Sequence, residues 1–445
     1  MKFIKKYWLF LLGFLLVLPT IWPLFRNDFF LMHDYTHVAR LVELDVGLKL
    51  GQIPPRWAPD LGWGKGMPLF HFYPPLPYYL AEVLYLIKVP AVWTIKIIFA
   101  LNYLAGFYFM YLWAKNRWGK IGGLAAAAAF VYLPYRAVDF YVRGALGELT
   151  AMTFLPLLFY ALDKRRVVLS ALSWAAIFLS HNAIALFSLF FIPLYFLFNI
   201  KNWKKFLLIS GITIGLSAFF IIPAFREKNL TIVDSFTTGG FFRYSFHFIY
   251  LRQLFSRFWG YGGSILGLED GLSFQLGWPQ VILAVPALFF WRKNLYLYVS
   301  LAISIYLMTF HAQFIWDKIA LLAAVQFPWR LLVFSSTFVA FLSGAVVKVI
   351  KNKLLLLIII LATVGLNADY FRPEKFIPPE EYYYTDRGKI AAKMSEVLQD
   401  YLPKNYAAFP TASGGKTQLE YWSDIISLLT WIGLGAYAGI KLKRN

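Results

Sequence analysis

The chain has 445 residues, of which 60% are hydrophobic, 20% aromatic and only 15% charged, and its formal net charge is +20. Soluble domains carry about 25% charged residues, so this composition excludes a string of soluble domains, and apolar runs along the whole length indicate a single membrane domain over 1–445. The chain contains no cysteine, which excludes disulfides and thiolate metal sites.

The basic residues are unevenly placed. Lys2/Lys5/Lys6, Lys115/Arg117/Lys120, Lys164/Arg165/Arg166, Lys201/Lys204/Lys205, Arg292/Lys293, Lys348/Lys351/Lys353 and Lys441/Lys443/Arg444 hold 20 of the 43, with Asp163 as the one acid among them. The remainder is close to neutral. The basicity is therefore a topology signal rather than a nucleic-acid footprint, because short loops rich in Lys and Arg mark the cytoplasmic side.

Met1 to Phe25 reads as an uncleaved first span: a basic start and an apolar core run into Pro-Leu-Phe-Arg-Asn-Asp, not into a small-residue cleavage site. Keeping the seven basic clusters inside gives about twelve spans, near 7–25, 91–114, 121–139, 149–162, 167–180, 183–199, 206–225, 279–291, 295–310, 331–347, 354–368 and 425–440. Both termini are then cytoplasmic, and Pro77 to Ile87 lies on the outer surface. Four long segments fall outside, at about 26–90, 226–278, 311–330 and 369–424. The last is expected to be a small lobe, helical from Lys389 to Tyr401. Irregular polar backbone belongs outside the hydrocarbon, so any site is expected on this outer face.

The first external segment holds the densest chemistry. Asp34 precedes a helix in which Val38, Leu41, Val42 and Leu48 form one apolar stripe, the pattern of a helix lying on the membrane surface. His37 and Arg40 fall on neighbouring turns. Asp34 is either an N-cap accepting a backbone N–H or a catalytic carboxylate. Arg143 and Glu148 occupy a short outer turn, as a local ion pair or as cavity groups, since ionisable residues near hydrocarbon face a cavity or a partner. His181, beside Asn182, is a helix-end group or a catalyst. Arg330 either snorkels to lipid headgroups or clamps a phosphate with its guanidinium fork. His33, His37 and His71 share one segment, and a zinc site built on them is the minor reading. The many aromatics, Tyr382 to Tyr384 included, suit an interfacial belt. No phosphate loop, dinucleotide fingerprint or nucleophile elbow is present.

Gly51-x-x-Pro54-x-Arg56-Trp57, Pro74-Pro75-Leu76-x-Tyr78-Tyr79, Arg143-Gly144-Ala145-Leu146-Gly147-Glu148, Ser180-His181-Asn182, Gln326-Phe327-Pro328-Trp329-Arg330 and Tyr401-Leu402-Pro403 follow the Asp34 segment in order. In this the chain resembles the GT-C class of membrane glycosyltransferases, and within it the bacterial family labelled "6-pyruvoyl-tetrahydropterin synthase-related", which includes YfhO-like proteins. The resemblance covers most of the chain.

It implies an all-α GT-C-like fold and an inverting hexosyl- or pentosyltransferase of the plasma membrane, with its active site external. The donor would be a polyprenyl-phosphate sugar, the acceptor a lipid, glycan or protein. Asp34 matches the acidic residue of the first external loop, with Glu148 as a second carboxylate. His37, Arg40, Arg56, His71, Tyr73, Arg143, His181 and Arg330 are the candidate substrate-binding residues. The nearest acid to Asp34 is Glu43, which leaves the partner carboxylate and a divalent metal open. A transporter or flippase, and a non-catalytic lipid-linked-sugar-binding or envelope-assembly protein, are the alternatives.

Overall fold

A computed structural model describes residues 2–238, 240–267, 269–409 and 415–444. The side chains of the terminal basic clusters, Lys2/Lys5/Lys6 and Lys441/Lys443/Arg444, lie outside the described set. Among the described residues, eight helices are long and apolar enough to cross a membrane: Trp8–Phe25, Ala91–Val131, Leu146–Asp163, Asn182–Ile200, Trp203–Leu230, Pro328–Val349, Lys353–Tyr370 and Gln418–Ile440. The remaining expected spans fall on shorter pieces. Val167–Phe178 has 12 residues, Leu295–Met308 has 14, and the 279–291 region breaks into Trp278–Ala284 and a tighter turn-like run. Pro279 and Pro286 remove backbone donors there, and a 12-residue helix is only about 18 Å long.

The longest helix, α1 (Ala91–Val131), is two arms. A straight helix of 41 residues would be about 60 Å long, twice the hydrocarbon thickness. The chain instead turns at Gly119, whose φ of 79° and ψ of 179° suit a residue without a side chain. The arms return on each other, so that a Cβ at Gly106 would lie 3.0 Å from the Phe130 ring. The turn carries Lys115, Arg117 and Lys120, as the basic-loop pattern requires. The C-terminal arm feeds a π-turn at Val138–Val142 and then α2 (Leu146–Asp163), which packs against both α1 and Val167–Phe178.

The last helix, α3 (Gln418–Arg444), packs along Trp203–Glu227 and exposes Leu428, Leu429, Trp431 and Ile432, a surface suited to lipid. A two-stranded antiparallel ribbon pairs Phe29–Phe30 with Phe376–Ile377, joining the 26–90 segment to the 369–424 lobe.

The surface-helix expectation is corrected. His37–Lys49 is helical, but 11 of its 13 residues, His37 through Gly47, are buried. Its polar residues found protein partners instead of water: His37 meets Tyr78, Arg40 meets Asp34, Glu43 accepts the Asp60 N–H at 3.0 Å and Asp45 pairs with Lys49. A helix whose polar face is also covered belongs to the core. Leu76–Leu86 packs on it and on α1.

Candidate active site

Two hydrogen bonds bring the first external segment onto the turn before α2. The N–H of His33 donates to Val142 O at 3.0 Å, and that of Asp34 to Arg143 O at 2.8 Å. Gly144 makes this approach feasible: its φ is 64°, and a Cβ there would stand 2.2 Å from Met32 Sδ. Residues 34 and 148, far apart in sequence, thereby line one cavity of about 820 Å³.

Asp34 is not a helix cap. The helix begins at His37, and the N-cap position is Thr36, whose side chain caps nothing. Its hydroxyl donates instead to Asp34 Oδ1 at 2.7 Å, while Asp34 Oδ2 accepts from Arg40 Nη1 at 3.0 Å and from the Tyr73 hydroxyl at 3.3 Å. Arg40 also donates to Tyr73 at 2.8 Å and to Tyr78 at 3.2 Å, and stacks over the Tyr73 ring. Burial pushes the Asp34 pKa up, but the Arg40 guanidinium and the Thr36 hydroxyl outweigh it and hold the carboxyl well below the usual range. His37 stands behind this network, bonded to Tyr78 and the Gly144 carbonyl, and burial lowers its pKa. It is not on the cavity wall.

Glu148 opens α2 and is fully buried. Arg143 Nη2 donates to its Oε2 at 2.9 Å, the Tyr135 hydroxyl donates to Oε1, and Arg330 Nε lies 3.4 Å from Oε2. Arg143 also pairs with Asp139 and lies over the Trp329 ring. The left-handed backbone at Gln326 (φ 66°) precedes the turn that holds Trp329 and Arg330 against this cluster. Arg330 is therefore no lipid anchor: it sits between Glu148 and the Val325 carbonyl, to which it donates at 2.7 Å. His181 is the N-cap of Asn182–Tyr195. Its Nδ1 accepts the Ile184 N–H at 3.4 Å, which leaves Nε2, 3.7 Å from Glu148, to carry the proton. Burial, reinforced by Arg330 and Arg143, outweighs Glu148 and pushes the His181 pKa down to about 3, so the ring is neutral.

Arg56 and His71 lie away from the cavity. Arg56 grips Asp424 of α3 at 2.7 and 3.3 Å, and Lys416 adds a third contact to that carboxylate at 2.7 Å. His71 Nε2 is 2.7 Å from Glu227, and Nδ1 is 3.3 Å from Glu420. These three side chains are close enough to suggest a cation site. Each carboxylate, however, faces a different ring nitrogen, whereas a metal ion takes one, and Arg56 and Lys416 already supply positive charge. The ring bridges two acids. The zinc reading of His33, His37 and His71 is likewise corrected, because the three rings diverge: His33 meets the Tyr261 carbonyl, His37 meets Tyr78 and His71 meets the two glutamates. Glu43 contacts Asp60 and does not line the cavity.

Further wall residues are Lys228, Asp234, Phe72, Phe327, Trp329, Asp400 and Tyr401, of which Phe327, Trp329 and Tyr401 fell within a sequence motif. The 369–424 lobe roofs the cavity. Arg387 of the lobe pairs with Asp60 at 2.6 Å, Trp63 N–H donates to Ser395 Oγ at 2.9 Å, and Tyr401 stacks on Phe72.

No family model matches the chain, so the narrower YfhO-like resemblance rests on its motifs alone. An uncharacterised protein of Lactococcus lactis subsp. cremoris is 28% identical over 238 residues, which cover 47% of this chain and 38% of that relative. The Archaeoglobus fulgidus oligosaccharyltransferase aligns over 96% of this chain and 60% of its own, at 15% identity and a TM-score of 0.43. The arabinofuranosyltransferase AftD from Mycobacteria aligns over 84% of this chain at 15% identity and a TM-score of 0.50. This chain spans 27% of the length of AftD. The likeness is one of fold: with the eight apolar helices it gives the chain a predominantly helical, multi-pass membrane architecture like that of AftD.

Proposed function

We propose that the chain is a glycosyltransferase that moves a hexosyl or pentosyl group, with inversion, from a polyprenyl-phosphate donor to a hydroxyl of a lipid, glycan or protein acceptor. The site faces the outside of the plasma membrane, with both termini cytoplasmic. The observation that carries this reading is the single cavity in which Asp34 and the Arg143–Glu148–Arg330 cluster share a wall. A displaced phosphate develops charge, which a fixed guanidinium stabilises best at the edge of a low-dielectric region. The attacking hydroxyl needs a carboxylate within hydrogen-bond reach, and Asp34 is held rigidly enough by Thr36 and Arg40 to orient it. Aromatic walls from Tyr73, Phe327 and Trp329 suit a sugar face or a prenyl chain. Nucleotide sugars are cytoplasmic, so an external transferase draws on a lipid-linked donor.

Native mass spectrometry of gently extracted protein tests the donor class. A bound polyprenyl-phosphate lipid is expected, displaced by added farnesyl phosphate. Bulk phospholipid alone, undisturbed by farnesyl phosphate, would remove the donor assignment.

A further inference from the structure

The carboxylates of Asp34 and Glu148 are both held by several donors. Asp34 Oδ1 receives Thr36 and Oδ2 receives Arg40 and Tyr73; Glu148 receives Tyr135 and Arg143 and faces Arg330. Each donor that holds an ionised carboxylate lowers its basicity, and a general base works best unencumbered and within reach of the proton it removes. A third carboxylate in the same cavity meets that condition.

The helical run of the lobe ends at Val397, and Leu398, with φ −95° and ψ 84°, turns the chain out of the helix. The turn that follows carries Asp400 and Tyr401 to the cavity wall. It is fixed on both sides. The Tyr401 ring stacks on Phe72 with centroids 5.5 Å apart, and the Ile232 N–H donates to Leu402 O at 3.0 Å beside the Thr231–Pro403 bridge. Asp400 itself is exposed on the cavity wall, and its carboxylate makes no ion pair or hydrogen bond with another described residue.

We propose that Asp400 is the catalytic base of the transfer and that Asp34 orients the acceptor; this rests on the transferase reading above. The acceptor O–H proton passes to an Asp400 carboxylate oxygen while the hydroxyl oxygen's lone pair forms the bond to the anomeric carbon. The bond from that carbon to the phosphate oxygen breaks, and its electron pair leaves on the polyprenyl phosphate. Arg40 and Asp34 are the charged groups that act on Asp400, and Lys228, Asp234, the Arg143–Glu148–Arg330 cluster and the imidazoles of His33 and His181 line the same cavity. The surrounding protein raises the Asp400 pKa, a shift that Asp34 adds to and Arg40 opposes. A base with a raised pKa is better matched to its proton transfer than the depressed Asp34.

The test is release of farnesyl phosphate from synthetic farnesyl-phosphate hexoses and pentoses by the full-length protein, supplied with membrane extract as acceptor. Wild-type rate should rise with pH through one acid limb. Asp400→Asn should lower the rate by about 10²–10⁴, lose that limb, and keep farnesyl-phosphate affinity and melting temperature. Asp400→Glu should restore the limb and part of the rate, while Asp34→Asn should retain the limb. An active wild type with Asp400→Asn within twofold of it, or with the limb intact, would overturn this inference alone. Loss of rate that tracks loss of farnesyl-phosphate affinity would make Asp400 structural and overturn it too. A wild type that releases nothing from any donor would overturn the transferase reading and this inference with it.

Discussion

Arg330 answers to two partners at once: its Nη1 holds the Val325 carbonyl and its Nε faces Glu148, while the guanidinium keeps an edge on the cavity. If it also receives a donor phosphate, Arg330→Ala should weaken farnesyl-phosphate binding by about 1–3 kcal/mol, the worth of a hydrogen bond to a charged group. Arg330→Lys should weaken it less, because an ammonium keeps the charge but loses the fork. Isothermal titration in detergent reads the difference. Equal, unchanged affinities would make Arg330 a partner of Glu148 only. At this scale the sequence marked the charged half of the site. Asp34, Arg143, Glu148 and Arg330 stood out because an ionisable group beside an apolar run is costly. Their partners did not stand out. Tyr135 is one of 28 tyrosines, and Asp139 lies within a run read as a span. Asp400 looked like an ordinary acid in a polar lobe, since only the chain's turn after Val397 sends it inward.

Among the elements, the contact of the His71 segment with two helix ends has a measurable pH signature. His71 bridges Glu227, at the end of Trp203–Glu227, and Glu420, in the first turn of α3. Burial lowers its pKa, but the two glutamates raise it by more, so it lies above the ordinary 6.5. A histidine whose folded pKa is raised contributes stability that is fully present below its unfolded pKa and is lost as pH rises through the folded value. Wild type should therefore lose stability relative to His71→Gln as pH rises from below 6.5, by about 1–3 kcal/mol. Thermal melting of both proteins across pH checks this. A difference that does not change with pH would mean that the bridge carries no proton. Elements were unevenly legible. Basic loops located the hairpin of α1, whereas the burial of His37–Lys49 could not be read from its stripe, because covering a polar face depends on partners distant in sequence.

On the scale of the whole molecule, the long segments between spans fold over the span ends rather than projecting away. The Phe29–Phe30 ribbon, the Arg387–Asp60 pair and the Tyr401–Phe72 stack close the lobe onto the 26–90 segment, and both contribute walls to the cavity. Apolar runs established a multi-pass membrane protein without difficulty. Three of the expected spans fall on short or broken helices, because hydropathy measures preference for lipid and not the length of an unbroken hydrogen-bonded helix, which prolines cut. Sugar transfer itself is the decisive readout for the assembly so described. Purified protein given farnesyl-phosphate hexoses and pentoses with membrane extract should release farnesyl phosphate from at least one donor. Asp34→Asn should cut that release by about 10²-fold or more, the cost of a misplaced reactant, while still melting cooperatively. No release from any donor, or release unchanged in a folded Asp34→Asn protein, would contradict the account.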